Sequence, residues 1–352
     1  MHISIAGFFG NSPRRGLSFA RDFAQTLEEL NFRTLSLPEH VVFFPTYESD
    51  YPYTDDGEPN WGPDTGIFDP LFVAQALAHV TTKLRFVTGV LILTQRPALL
   101  TAKEILTLDH FTDGRFELGV GSGWSWEEYS ALGVDFAKRG RRLDEYIEAL
   151  RVAWTDDRAT YTGEFVHFEN AVMNPKPITP GGPPIIIGGD SPAAMRRAAV
   201  LGDGWYGWWA QPDIKTHLEQ LGETLNGHGR DLSDEDFDFK LGLPLSEVNP
   251  AEIEAKVELA ASLGVDELIL APPIPTKDFS THLEVVAQAA GWFSQESSPF
   301  DGAALSCALT IETLLATPKT RSFQSRTGSR SVLPFSNICI PSSRVAPGWA
   351  TG

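Results

Sequence analysis

Short apolar runs rich in β-branched residues alternate with longer segments of helical period along most of this chain. Eight such runs are predicted as strands: His2 to Ala6, Thr34 to Leu37, Leu84 to Val90, Arg115 to Val120, Pro184 to Gly188, Asp203 to Gly207, Phe239 to Leu245 and Glu267 to Ala271. Each is followed by a predicted helix, respectively Leu17 to Leu30, Pro70 to His79, Leu99 to Phe111, Arg139 to Trp154, Pro192 to Leu201, Ile214 to Asn226, Ala251 to Leu263 and His282 to Phe293. Strands separated by helices must pair in parallel, and eight units in succession predict a closed (β/α)8 TIM barrel. An open doubly wound sheet is the runner-up. The length of 352 residues admits one large barrel or two average domains and does not choose between them.

Three segments break the repetition. Val41 to Asp69 is a long loop dense in aromatic, proline and acidic residues, the composition of a lid or binding wall; a surface Ω-loop is the plainer alternative. Ala159 to Pro183 reads as a hairpin insertion with its turn at Thr162 and Gly163, followed by a proline-rich connector. From Ser297 the chain is rich in Ser, Thr and Pro without apolar period. The barrel is therefore assigned to residues 1–296, and 297–352 to a disordered tail. Both cysteines, Cys307 and Cys339, fall in that tail and make neither a zinc site nor a disulfide framework.

A formal charge of −18 points away from nucleic acid and anionic membranes and toward a small-molecule substrate. No apolar run approaches the roughly 18 residues of a membrane span, and the N-terminus lacks the cationic lead of a signal peptide, so the expectation is a soluble, cytoplasmic protein.

In such a barrel the chemistry sits at the C-terminal ends of the strands. Those positions hold Gly7, Phe8 and Phe9; Pro38, Glu39 and His40; Gly89 and Val90, with Thr94, Gln95 and Arg96 beyond; Gly121, Ser122, Gly123 and Trp124; Gly188, Gly189, Asp190 and Ser191; and Trp205, Trp208 and Trp209. They supply neither a metal set nor a nucleophile–base pair. Glycines at three strand ends, aromatic walls and a single histidine instead suit a phosphorylated planar cofactor. The run Glu117 to Trp124 departs from the dinucleotide fingerprint by Trp124, and the literal match at Gly202, Gly204 and Gly207 lies across a predicted strand, where it cannot open a helix. Trp205, Trp208 and Trp209 suit core packing as well as ring contact.

The runs "LPEHVVFFP" (Leu37 to Pro45), "TGVLILTQRP" (Thr88 to Pro97), "LDHFTDGRFELGVGSGW" (Leu108 to Trp124), "RGRRLDEYIEALRVAW" (Arg139 to Trp154) and "PPIIIGGDSPAAMRRAAVLGDGW" (Pro183 to Trp205) resemble the luciferase-like monooxygenase superfamily. More narrowly, they are similar to its branch that uses the deazaflavin coenzyme F420. The resemblance implies a flavin or deazaflavin bound at the barrel mouth, with Gly121, Ser122, Gly123, Trp124, Gly188, Gly189, Asp190 and Ser191 around the cofactor and its phosphate. It implies a non-proline cis peptide near Gly89 and Val90 that buttresses the ring face. His40 takes the position of a histidine near the reactive edge, with Glu39 beside it as a second catalytic residue. Phe43, Phe44 and Trp205 are assigned to the substrate pocket, with Trp124 as a further wall. Where sugar-phosphate-oxidising members carry a glutamate this chain has Trp124, which argues against that substrate. Hydride transfer between F420 and a small organic substrate is the implied reaction. The alternatives are an oxygen-using FMN monooxygenase and a flavin-binding barrel without turnover. Arg96 and Lys103 are the cations expected to offset the acidic chain near the polyanionic cofactor, and dimers are common in the superfamily.

Overall fold

The computed structural model describes residues 1–7, 9, 16–59, 61–62, 64–209 and 214–291. The expected tail, both cysteines and Phe8 lie outside them. In chain order the elements are β1 (His2–Ala6), α1 (Leu17–Glu29), β2 (Thr34–Leu37), α2 (Pro70–Ala78), β3 (Arg85–Thr88), α3 (Ala98–Phe111), β4 (Phe116–Val120), α4 (Trp126–Ala131) and α5 (Arg139–Thr155). There follow β5 (Ala159–Thr162), β6 (His167–Ala171), β7 (Ile185–Gly188), α6 (Pro192–Leu201), β8 (Gly204–Trp208), α7 (Ile214–Gly227), β9 (Asp238–Pro244), α8 (Pro250–Ser262), β10 (Glu267–Ala271) and α9 (Phe279–Ala289). Eight strands close into a barrel in the order β1-β2-β3-β4-β7-β8-β9-β10, and the open sheet is thereby excluded. All eight neighbouring pairs are parallel, while β5 and β6 form the separate antiparallel hairpin.

Helix starts follow from local chemistry. Asp69-Pro70, Ser191-Pro192 and Asn249-Pro250 each place a side-chain acceptor before a proline at the first helical position, and each cap accepts from an amide of the first turn. The last helix starts three residues before its expected position, at Phe279, and the short α4 was not expected at all. β3 ends at Thr88, before the expected Val90, and the next peptide, Gly89–Val90, is cis.

Strand parity sorts the barrel into two regions. Ile3, Leu35, Phe86, Leu118, Ile187, Trp205, Phe239 and Leu268 turn outward and join the helices in the main hydrophobic core. Val87, Ile186, Tyr206 and Ile269 form a second, smaller cluster inside the barrel. Toward the strands' N-terminal ends the interior is charged. Lys240, with no exposed surface, pairs with Glu117 (2.9 Å), Asp238 (2.9 Å) and Glu267 (2.5 Å), and Arg85 Nε reaches Glu117 at 2.8 Å. Three carboxylates hold the Lys240 ammonium above its usual range despite burial. This floor closes the barrel and leaves the other end for a site.

Candidate active site at the barrel mouth

β2 delivers Pro38, Glu39 and His40 to the C-terminal mouth, where His40 Nδ1 lies 3.0 Å from Glu128 Oε2. Glu128 is 1% exposed, and its other oxygen accepts from the Val41 amide at 2.5 Å and the Val42 amide at 3.4 Å. Burial raises the Glu128 carboxyl, but hydrogen bonds from His40 and Val41 outweigh it and hold the group below the usual carboxylate range. A carboxylate only accepts, so Nδ1 carries the hydrogen and Nε2 is the nitrogen left for chemistry. Sequence reasoning missed Glu128. The signal was Ser125-x-x-Glu128, a helix-capping pattern: Ser125 Oγ accepts from the Glu128 amide at 3.2 Å and starts α4. Neighbouring Glu127 accepts from the amides of Glu48 (2.5 Å) and Ser49 (3.0 Å), so the same short helix fastens the lid.

Glu39, expected to act beside His40, is spent elsewhere. It is buried, accepts from the Ile92 amide at 2.6 Å and pairs with Arg96, which also pairs with Asp69. Its role is to fix the turn after β3. Arg96 is consequently not available to offset an anionic ligand, and Lys103 is bound to the Asn174 carbonyl. Arg139 and Arg142 form no ion pair among the described residues. Arg139 Nε donates to the Gly123 carbonyl at 3.2 Å and its guanidinium lies 3.7 Å from the Phe136 ring centroid, which places a cation at the glycine loop.

The glycines divide into two kinds. A Cβ on Gly121 would come within 2.7 Å of Val90 Cγ2, one on Gly188 would overlap Val90 Cγ1, and one on Gly89 would overlap Ser36 Oγ. Gly121 and Gly188 are thus glycines because Val90 projects between them, which corrects the expectation that all of them clear space for a phosphate. Gly123 (φ +67°) and Gly189 (φ +110°) adopt backbone that favours glycine. Ser191 caps α6, and the Ser122 carbonyl accepts from Tyr129 Oη at 2.6 Å.

Aromatic side chains of the lid, with Trp124 of the loop after β4, surround His40. Ring centroids of Phe43, Trp61 and Trp124 lie 5.2, 5.8 and 5.9 Å from its own. Tyr51 packs edge-on to Trp61 (4.8 Å) and Trp124 (5.2 Å), and Tyr53 reaches Trp208 at 6.5 Å. The indole nitrogens of Trp61 and Trp124 are buried without a hydrogen-bond partner. Phe44 turns away to pack edge-on to Tyr47 at 6.0 Å. Trp205 is fully buried in the outer core, tilted against Phe239 with its indole nitrogen donating to the Gly189 carbonyl; it fills the helix layer and does not line a substrate pocket. Tyr206 and Trp208, on the opposite parity, face inward. Asp190 also departs from expectation. Its Oδ1 accepts weakly from the Trp208 amide at 3.3 Å, its buried Oδ2 has no partner, and burial pushes its carboxyl up to about 6. A carboxylate is a poor companion for phosphate.

The residues present otherwise fit a phosphorylated planar ring: an apolar platform at Val90, aromatic walls, unsatisfied indole donors, two glycines with left-handed backbone and the nearby Arg139.

A parallel barrel whose functional groups converge at the C-terminal mouth places the protein among the (β/α)8 barrel enzymes in architecture. A model of the luciferase-like monooxygenase family matches residues 1–302, and the chain belongs to that family. It is 30% identical over 279 residues to an uncharacterized protein of Mycobacterium tuberculosis, covering 79% of this chain and 94% of that one. Over 136 residues it is 38% identical to the FMNH(2)-dependent dimethylsulfone monooxygenase of Pseudomonas fluorescens, covering 38% of this chain and 36% of that enzyme. In fold it is similar to an F420-dependent secondary alcohol dehydrogenase solved with an F420-acetone adduct, with a TM-score of 0.66, 15% identity, and coverage of 82% of this chain and 98% of that one. Members of the family thus use either F420 or FMN. Among the described residues no helix is long and apolar enough to cross a membrane.

Proposed function

We propose that this protein is an oxidoreductase that transfers a hydride between coenzyme F420 and a small organic substrate, with His40 moving the accompanying proton. The observation that carries the reading is the His40–Glu128 pair, held at the same mouth as the Val90 platform. When bound, the deazaflavin supplies two-electron hydride chemistry and reacts poorly with oxygen. Val90 supports the ring, while Gly123, Gly189 and Arg139 are the groups suited to its phosphate. His40 Nε2 gives or takes the proton, and Glu128 fixes the imidazole and stabilises its charged form. Phe43, Trp61 and Trp124 exclude water from that exchange. His40→Ala is expected to slow single-turnover hydride transfer by about a hundredfold or more with cofactor affinity kept. An unchanged rate would return His40 to a structural role and leave the proton to another group.

A second reading, an oxygen-dependent FMN monooxygenase, is favoured by the 38% identity to the dimethylsulfone enzyme and by the acidic lid, which opposes a polyanionic tail. Titration with F420 and with FMN, followed by absorbance and fluorescence, separates the two. Tight FMN binding without F420 affinity overturns the first.

A further inference from the structure

The wall of the mouth formed by the loop after β7 does not match the rest of the cofactor chemistry. Asp190 stands there between Tyr53 of the lid and Trp208 of β8, with one carboxylate oxygen buried and unpartnered. Leaving such an oxygen unpaired is costly, which makes it a place where a ligand donor is expected. The surroundings decide what kind of donor. Between Val41 and Asp69 the lid carries seven acidic residues and no lysine or arginine. Only Asp69 among them forms an ion pair among the described residues, with Arg96. The field at the entrance is therefore negative, and it concentrates cations while it repels anions. Tyr53 and Trp208, whose ring centroids lie 6.5 Å apart, both neighbour Asp190, Trp208 through its backbone amide, and supply aromatic surface of the kind that suits an ammonium group.

We infer that Asp190, Tyr53 and Trp208 form a subsite for a cationic amine, so that the substrate of this barrel is a small organic ammonium compound. The inference rests on the mouth being the substrate site. It names the charge of that substrate, which the reading above leaves open. An amine seated there meets an acceptor, an apolar wall and a favourable field at once. A carboxylate or phosphate substrate would meet repulsion from the same groups.

Protonation gives a second handle. The groups facing Asp190 are Tyr53 from the lid, the Trp208 amide from β8 and His217 from α7. Burial raises the Asp190 carboxyl to about 6, so the anion that an amine needs forms as the pH rises through that value. Amine affinity is accordingly expected to grow between pH 5 and pH 7, in the range where benzylammonium itself keeps its charge.

The test uses the full chain and two probes of similar shape, benzylammonium chloride and benzyl alcohol, with binding followed by tryptophan fluorescence at pH 7.5. Benzylammonium is expected to bind at least about tenfold more tightly than the alcohol, the advantage of one charge-assisted hydrogen bond. That preference should vanish in Asp190→Asn and shrink at pH 5 in the parent protein. Equal binding of the two probes to the parent overturns the inference without recourse to any variant. So does an Asp190→Asn protein that keeps the preference, or one that instead loses FMN or F420 affinity by about tenfold, which would make Asp190 a cofactor ligand. His40→Ala separates the two readings: it should slow hydride transfer by about a hundredfold or more and leave the benzylammonium preference intact. Failure of cofactor binding sinks the oxidoreductase reading alone.

Discussion

The two ends of this barrel are built from the same eight strands yet treat polar groups in opposite ways. At the floor, Lys240 and Arg85 meet Glu117, Asp238 and Glu267 at 2.5 to 2.9 Å, so charge is neutralised inside the fold. At the mouth, Asp190 Oδ2 and the indole nitrogens of Trp61 and Trp124 are buried with nothing to bond. Buried polar groups are nearly always satisfied. At the floor every carboxylate is ion-paired and, among the described residues there, only the neutral Thr34 hydroxyl lacks both an ion pair and a hydrogen bond. At the mouth a carboxylate oxygen is left without either, so the first end is structural and the second is suited to a ligand. The His40–Glu128 pair belongs to the second kind: one nitrogen is fixed and the other is left for chemistry.

The sharpest way to break this contrast is Lys240→Met, which removes the one cation shared by all three carboxylates and leaves only Arg85 on Glu117 and the more distant Arg33 on Glu267. Stability should fall by about 3–5 kcal/mol in urea unfolding, or the protein should fail to accumulate. A loss below about 1 kcal/mol would show that the floor is not what closes the barrel.

Acid separates the two ends by sign. Burial raises the Glu267 carboxyl, but Lys240 and hydrogen bonds outweigh it and hold the group below its ordinary 4.5. Its stabilisation is therefore full above 4.5 and is lost as the pH falls through the lowered folded value. Asp190 runs the other way: with a folded value of about 6 against 3.8, it costs nothing below 3.8 and its full penalty above 6. Asp190→Asn should therefore be more stable than the parent by about 1–3 kcal/mol at pH 7.5 and equal to it near pH 3.5, as read by thermal or urea unfolding. A variant that is less stable at pH 7.5 would mean the carboxylate has a partner in the folded chain.

The smallest expected effect tests the satisfied mouth carboxylate that holds His40. Glu128→Gln keeps one acceptor oxygen, for either His40 Nδ1 or the Val41 amide, sets an NH2 donor against the other and removes the charge. It should lower kcat about tenfold with KM nearly unchanged, and Glu128→Asp should recover part of the loss. A change confined to KM would make Glu128 a fastener of the lid and no aid to His40.

Much of the fold was legible because its signals are local. Asp69, Ser191 and Asn249 announce their helices from within the first turn, and β1, β2 and β10 end where their apolar runs end. The site was legible only in part. His40, Val90 and Trp124 could be placed at the mouth by the barrel rule, since each follows a strand. Glu39 could not be told from a catalytic neighbour, because its partner Arg96 lies 57 residues away. Trp205 was harder still. Aromatic residues at 205, 206, 208 and 209 occupy both faces of the run, and a shift of one position turns every side chain to the other face.

The alternation of apolar runs and helical segments by itself determined the element order, the parallel pairing and the end of the barrel where function sits, because period and caps act over a few residues. Only closure of the barrel decided which groups meet there. It turned Trp205 outward and Tyr206 inward, set Val90 between Gly121 and Gly188, and brought Glu128 across 88 residues to His40. Those contacts depend on strand register and the curvature of a closed sheet, which no local stretch of chain encodes.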